Sequence, residues 1–202
     1  MPPRTNTMST ELPLVYLVRH GETPWSLTGQ HTGLTDLPLT ERGEQGAREL
    51  APRLQAVPFA LVLTSPLRRA VRTCELAGFA AAARTDQDLC EWNYGAYEGR
   101  STAQIRAERP DCDLFRDGCP DGESAVEVGA RADRVIARVR TAGGNALLFS
   151  SGHILRVLAA RWLDLPPQSG RLLQLGTASV SVLGYEHGPH EPVVHLWNET
   201  RR

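Results

Sequence analysis

Short apolar runs alternate with segments of helical periodicity along most of this chain, and this alternation constrains the fold more than any other feature. Helix starts are marked by N-cap signals at Thr40, Ser65 and Ser124. Predicted strands cover residues 14–18, 61–63, 84–89, 146–150, 178–185 and 193–197. Predicted helices cover residues 41–54, 66–78, 102–108, 125–141 and 154–163. The alternation favours an α/β three-layer sandwich, in which helices cover both faces of a mainly parallel sheet.

Size and charge exclude several classes of function. The 202 residues fit one domain, which we expect over residues 12–202, with a flexible tail at 1–11 and a cap-like insertion at 101–122. The 22 basic and 23 acidic residues give a net charge of −1, so no nucleic acid and no membrane is expected as a partner. Four cysteines without a Cys-x-x-Cys pair and a polar N-terminus favour free thiols and a cytoplasmic location.

Histidines follow two of the predicted parallel strands. Arg19 and His20 come directly after the strand at 14–18, and His153 follows the strand at 146–150. The carboxyl ends of the strands form the ligand crevice of open α/β sheets, so we expect these side chains to meet there. An unprotonated imidazole can attack phosphorus when cations hold the phosphoryl oxygens. The pattern predicts phosphoryl transfer with His20 as the nucleophile, although a histidine at a strand end is more often structural.

Two further segments supply groups that this chemistry needs. Arg68 and Arg69 stand at the start of the helix after the strand at 61–63, where one of them is expected to face inward toward an anion. Glu91 lies in an aromatic loop, whose apolar neighbours can keep a carboxyl protonated for a leaving oxygen. Taken singly, the arginines also fit a solvated basic surface, and the glutamate fits an ordinary surface charge.

Together these motifs resemble the histidine phosphatase superfamily, which contains the cofactor-dependent phosphoglycerate mutases and many acid phosphatases. The resemblance runs from Val15 to Trp197. It implies a phosphoglycerate mutase-like fold and a phosphohistidine mechanism that needs no metal or other cofactor. Carried over by motif, the catalytic residues are His20 as nucleophile, Glu91 as proton donor, and Arg19, Arg69 and His153 as the phosphate pocket.

Departures from the mutase pattern favour a hydrolase. Mutases usually carry Asn where this chain has Ser26, Lys where it has Thr102, and a longer basic insertion. A mutase must keep water from its phosphoryl group, so the short insertion argues for hydrolysis. The segments 25–40, 91–99 and 116–119 resemble the sedoheptulose bisphosphatase branch, and less specifically phosphatases of broad specificity. That resemblance implies a sugar phosphate or bisphosphate as substrate.

Contacts to the rest of the substrate are predicted from the same loops. The candidates are Ser26, Thr32, Gly33, Tyr94, Ile154, Arg156, Arg100 and Arg116. The three arginines could hold a second phosphate or lie on the surface, and Tyr94 could stack on a sugar or close the core. The histidines and the glutamate at 187, 190 and 191 suggest a metal site, but their Gly-Pro turn makes an exposed loop the better interpretation.

Two other functions stay open on the sequence. A phosphoglycerate mutase is the alternative enzyme, and a non-catalytic phospholigand-binding regulatory protein is the alternative of another class. Such binding proteins typically lack the nucleophile or the proton donor, whereas this chain has both. The expected partner is a small phosphorylated metabolite, and a homodimer is a possible assembly.

Overall fold

The computed structural model describes residues 12–200, in which six strands form one sheet in the order β3-β2-β4-β1-β5-β6. The strands are β1 (Val15–Arg19), β2 (Leu61–Thr64), β3 (Arg84–Thr85), β4 (Ala146–Ser150), β5 (Val180–Tyr185) and β6 (Pro192–Glu199). β1 to β4 are parallel, whereas β5 pairs antiparallel with both β1 and β6. The predicted mainly parallel sheet is confirmed. The tail expected at residues 1–11 lies outside the described residues.

Helices cover both faces of the sheet. They are α1 (Pro24–Thr28), α2 (Glu41–Glu49), α3 (Ala51–Leu54), α4 (Arg68–Leu76), α5 (Thr102–Glu108), α6 (Leu114–Asp117), α7 (Ala125–Arg140) and α8 (Gly152–Trp162). Successive strand residues point to opposite faces. Leu17 and Leu148 therefore join the core with α7 and α8, whereas Val18 and Leu147 join the core under α2, α3 and α4. These two cores separate the three layers of the predicted sandwich.

Two local predictions are wrong for reasons that lie elsewhere in the chain. The helix predicted to begin after Ser65 begins at Arg68, because the Ser65 amide donates to Phe149 O of β4 and prolongs the strand pairing. The strand predicted at 84–89 ends at Thr85. There the Asp86 side chain accepts the Asp88 amide and caps a short 3-10 helix, Gln87–Leu89.

Other elements follow from local signals. Ser124 forms the predicted capping box and starts α7, which ends one residue before Thr141. The helix predicted over 41–54 is split at Leu50, because Pro52 has no N–H to continue the ladder. The helix α1 and two more 3-10 helices, Gly95–Tyr97 and Pro167–Leu172, were not predicted from the sequence.

All four cysteines are free thiols, as predicted. Within residues 12–200, every helix is too short or too polar to pass through a bilayer.

Candidate active site

His20 follows β1 at the carboxyl edge of the sheet, where its backbone N–H donates to Ser150 O of β4 at 2.9 Å. The imidazole is 3 % exposed, and its Nδ1 lies 2.7 Å from Gly21 O. A carbonyl only accepts, so Nδ1 carries the proton and Nε2 keeps a free lone pair. Burial, and then the charges of Arg19 and Arg69, hold the pKa of His20 well below its usual value. The ring is therefore neutral, with a lone pair on Nε2 that is chemically able to attack an electrophile.

Arg19 places a buried guanidinium beside this histidine. Its Nη1 donates to Leu175 O, and its Nε has no hydrogen-bond partner among residues 12–200. Gly152, the first residue of α8, packs so closely that a Cβ there would lie 3.3 Å from Arg19 Nε. Burial lowers the pKa of Arg19, and the Glu91 carboxylate opposes that shift. A buried donor without a partner is suited to an anion that enters the cleft.

Arg69 lies inside the protein, whereas Arg68 is exposed, so Arg69 is the arginine of this pair that faces inward. The Arg69 guanidinium donates to three backbone carbonyls of the loop after α1, those of Thr32, Gly33 and Thr35 at 2.8–3.0 Å. This side chain is not part of the cleft wall. It fixes the loop that forms part of the wall, and its charge contributes to the lowered pKa of His20.

Glu91 is held against the N-terminus of α8. Its Oε1 accepts the amides of Trp92 at 2.8 Å and Ile154 at 2.9 Å, and its Oε2 accepts the amide of His153 at 2.9 Å. The side chain is 4 % exposed, so these bonds fix its rotamer. Because Oε2 accepts one amide and Oε1 accepts two, Oε2 is the oxygen with more free capacity for a proton.

His153 is oriented by Tyr94, whose hydroxyl lies 2.6 Å from Nδ1. Burial, followed by the charge of Arg156, keeps the pKa of His153 well below its usual value, and burial raises the pKa of Tyr94 well above its own. Both groups are neutral at pH 7, and among residues 12–200 Nδ1 is the one acceptor within hydrogen-bond distance of the phenol O–H, so the phenol donates to Nδ1. The imidazole proton then resides on Nε2, where it can donate to a phosphoryl oxygen.

These groups border a cleft of about 180 Å³ at the carboxyl ends of β1 and β4. The wall consists of Arg19, His20, Ser26, Gly29, Gln30, His31, Thr32, Glu91, Tyr94, Gly152, His153, Arg156 and Leu175. Of the residues predicted from sequence, four of the catalytic set and Ser26, Thr32, Tyr94 and Arg156 are in this wall. A larger cavity of about 630 Å³ lies between α2 and residues 176–178, and none of the described residues that line it is a histidine.

Gly33 and Ile154, two of the predicted substrate contacts, are not on the cleft wall. The Gly33 amide donates to the Glu98 carboxylate, and its carbonyl accepts from Arg69. The Ile154 amide donates to Glu91, and its side chain is buried in the core. Both residues have their polar backbone groups occupied by protein partners.

Two predicted arginine contacts lie on the surface instead. Arg100 pairs with Glu108, and Arg116 pairs with Asp117 at 2.7 Å. Each forms its pair within its own segment, so the structure brings neither guanidinium to the wall of the cleft.

His31 is the main cleft residue that sequence reasoning missed. Its ring lies 4.7 Å from that of Tyr94 and 5.9 Å from that of His153, measured between centroids. Burial lowers the pKa of His31, while Glu91 and Glu98 raise it. A histidine between Gln30 and Thr32, in a loop already matched to the family, was the available signal.

A possible metal-binding group occurs at the opposite edge of the sheet. Among residues 12–200, Glu186, His187 and Glu191 bring their ligand atoms within 4.8 Å of one another. They occupy the exposed β5–β6 turn, and β5 runs antiparallel to β1, so this turn is remote from His20. His187 Nδ1 lies 2.8 Å from Glu191, in a pair exposed to solvent.

The fold and the cleft define an α/β enzyme that transfers phosphoryl groups. Residues 15–200 match the histidine phosphatase superfamily (branch 1). The chain is 40% identical over 183 residues to an acid phosphatase of Mycobacterium tuberculosis, covering 88% of this chain and 89% of that protein. It is 36% identical over 194 residues to sedoheptulose 1,7-bisphosphatase of Saccharomyces cerevisiae, covering 80% and 71%. Probable phosphoglycerate mutases are also among its relatives.

Solved structures agree with the sequence relatives. The structure of the open reading frame Rv3214 from Mycobacterium tuberculosis superposes with a TM-score of 0.88 at 36% identity, covering 93% of this chain and 98% of that one. The chain belongs to the histidine phosphatase superfamily. The predicted family, fold class and enzyme class are confirmed at this level.

Proposed function

We propose that this protein hydrolyses phosphomonoesters of small sugar metabolites through a phosphohistidine on His20. The observation that carries the proposal is the state of that imidazole. Nδ1–H is bound to Gly21 O, so the lone pair on Nε2 is free, and Arg19 supplies an unpaired donor beside it. A nucleophile with a free lone pair and a cation for the developing charge are the two requirements of this chemistry.

In the first step, His20 Nε2 forms a bond to phosphorus and the bond from phosphorus to the leaving oxygen breaks. The protonated carboxyl of Glu91 gives its proton to that oxygen, so the sugar leaves as an alcohol. In the second step, the Glu91 carboxylate takes a proton from water, the water oxygen bonds to phosphorus, and the P–N bond breaks. Inorganic phosphate leaves, and both residues return to their initial states.

Positioning in this scheme depends on bonds made by the protein itself. Arg19 and His153 donate to the phosphoryl oxygens, and Tyr94 holds His153 in the tautomer that can do so. The α8 amides hold Glu91, so the acid does not swing away between the two steps.

The sugar preference rests on the cleft wall and on a relative. Ser26, Gln30, His31 and Thr32 line the wall, and residues with hydroxyl, amide and imidazole groups suit the hydroxyls of a sugar. One relative is named for hydrolysis of sedoheptulose 1,7-bisphosphate.

The test is release of inorganic phosphate from p-nitrophenyl phosphate and from a panel of sugar phosphates. We expect His20→Ala to abolish release and to abolish an acid-labile phosphoprotein formed by the wild type. His190→Ala, which removes an exposed histidine, is the matched control and should leave both unchanged. Conversion of phosphoglycerates much faster than their hydrolysis would favour a mutase. Saturable binding without turnover would favour a regulatory binding protein.

A further inference from the structure

A second chamber adjoins the catalytic cleft. It has a volume of about 340 Å³ and shares His31, His153 and Arg156 with the cleft wall. The rest of its wall comes from Tyr97, Cys112, Asp113, α5, α6 and the 3-10 helix Pro167–Leu172. Small-molecule sites commonly measure about 300–1,000 Å³. The cleft of about 180 Å³ is below that range, and the chamber is the space that adjoins it.

Three arginines line this chamber: the half-buried Arg156 and the exposed Arg106 and Arg171. Across residues 12–200, none of them forms an ion pair with a carboxylate, although many other arginines do, such as Arg116 with Asp117. The chamber wall contains one carboxylate, that of Asp113, whose Oδ1 accepts the first-turn amide of α6. Three cations against one anion leave an excess of two positive charges.

Arg156 is fixed at the boundary between cleft and chamber. Its Nε donates to Gly170 O and its Nη2 to Arg171 O, both at 3.0 Å. Its guanidinium lies 4.8 Å from the centre of the Phe115 ring. Gly170 allows this packing, because a Cβ there would lie 3.0 Å from Phe115 and 3.1 Å from the Arg156 backbone.

We propose that the chamber binds the second phosphate of a bisphosphorylated sugar, held by Arg106 and Arg171 with Arg156 at the boundary. The excess of two positive charges matches a phosphate dianion, and guanidinium groups bind phosphate oxygens in bidentate pairs. The assignment rests on the proposed function, because it names the substrate class of the same site. It replaces Arg100 and Arg116 as the partners of that phosphate.

The test compares the double variant Arg106→Gln/Arg171→Gln with Arg48→Gln/Arg84→Gln, which removes two exposed arginines from α2 and β3. Substrates are sedoheptulose 1,7-bisphosphate, fructose 6-phosphate, 3-phosphoglycerate and p-nitrophenyl phosphate. We expect the chamber variant to raise KM for the bisphosphate about tenfold or more, the scale of one lost hydrogen bond to a charged group, with kcat little changed. The other three substrates should change less than about twofold, as should the control variant with every substrate.

Binding is measured separately, by calorimetry in a His20→Ala background that cannot turn over. The chamber variant should weaken binding of the bisphosphate and spare the monophosphate. Equal losses for mono- and bisphosphates, no loss, or the same loss in the control would overturn the proposal. A selective loss for 3-phosphoglycerate would also overturn it, since the chamber would then select a carboxylate. If the wild type hydrolyses none of these esters, the proposed function fails, while the calorimetry still decides the chamber.

Discussion

Replacing Glu91 by Gln separates proton donation from the rest of the chemistry. The variant keeps the shape of the side chain but cannot give a proton to the leaving oxygen. Loss of general acid catalysis lowers rates by about 10²–10⁴. That range corresponds to about 2.7–5.4 kcal/mol in the barrier. The loss should fall on kcat/KM for a sugar phosphate, whose alkoxide is a poor leaving group without protonation.

An aryl phosphate should respond differently to the same change. Because p-nitrophenolate leaves without a proton, its kcat/KM should fall by less than about tenfold, the contribution of one lost hydrogen bond. Its kcat should still fall, because the second step needs the Glu91 carboxylate to accept a proton from water. A burst of p-nitrophenolate and an accumulated phosphohistidine should therefore appear in stopped-flow and acid-quench measurements.

The structure also sets the effect on stability. Three backbone N–H groups donate to the two oxygens of Glu91. A Gln side chain has only one oxygen, so its NH₂ group would face at least one of these N–H donors. An unsatisfied buried donor costs about 1–3 kcal/mol in the free energy of unfolding, which urea titration can measure. Glu123→Gln is the matched control. That carboxylate accepts the Asn93 amide at 2.8 Å and pairs with Arg131, and it is absent from the cleft wall.

Two results would refute this account of Glu91. If kcat/KM fell equally for the sugar and aryl phosphates, the residue would act by holding the site together and not by donating a proton. If Glu123→Gln changed the ratio between the two substrates as much as the Glu91 variant did, the effect would come from the loop and not from the acid.

Three further predictions concern the imidazoles and the backbone around them. Tyr94→Phe removes the hydrogen-bond donor to His153, so kcat/KM should fall by about 5–10-fold in steady-state assays. The control variant Tyr16→Phe should leave kcat/KM unchanged. An unchanged kcat/KM in Tyr94→Phe would contradict the role of this hydroxyl. His20 and His153 have lowered pKa values, so the unfolded chain binds more protons, and stability should fall as pH drops below about 6.5, by up to about 1.4 kcal/mol per pH unit for each histidine. Urea titrations at a series of pH values should show that the free energy of unfolding of His153→Asn depends less steeply on pH than that of the wild type. An unchanged pH dependence would count against the lowered pKa of His153. Gly43→Ala should lower the free energy of unfolding by about 1–3 kcal/mol, because its Cβ would overlap the carbonyl oxygen of Glu22 in the loop after His20. An unchanged melting temperature would contradict this prediction, since the loop would then relax around the methyl group.

Much of the fold was predictable because its signals are local. The Ser124 capping box and the apolar repeat behind it predict α7 to within one residue at its C-terminus. The start of α4 was not predictable in this way, because a hydrogen bond from Ser65 to Phe149 in another strand decides it. The capping signal at Ser65 is present in the sequence, and a tertiary contact overrides it.

Four of the five residues proposed as catalytic meet in the cleft wall, as the chain order predicts, but the contacts that support them were not predictable. The motifs identify Arg69 over Arg68, and the structure places the first inside and the second outside. Arg100 and Arg106 lie on one short segment and are the same residue type. Only the folded structure shows that Arg100 pairs with Glu108 and that Arg106 lines the chamber.

The sequence by itself determined the alternation of strands and helices and the arrival of His20 and His153 at strand ends, because apolar periodicity and chain order are local properties. The tertiary structure decided the tautomer of His20, the amides that hold Glu91 and the arginines left without a carboxylate. Each of these features depends on partners that lie far apart along the chain or on the conformation of a loop. The local pattern of residues determines neither the distant partners nor the loop conformation.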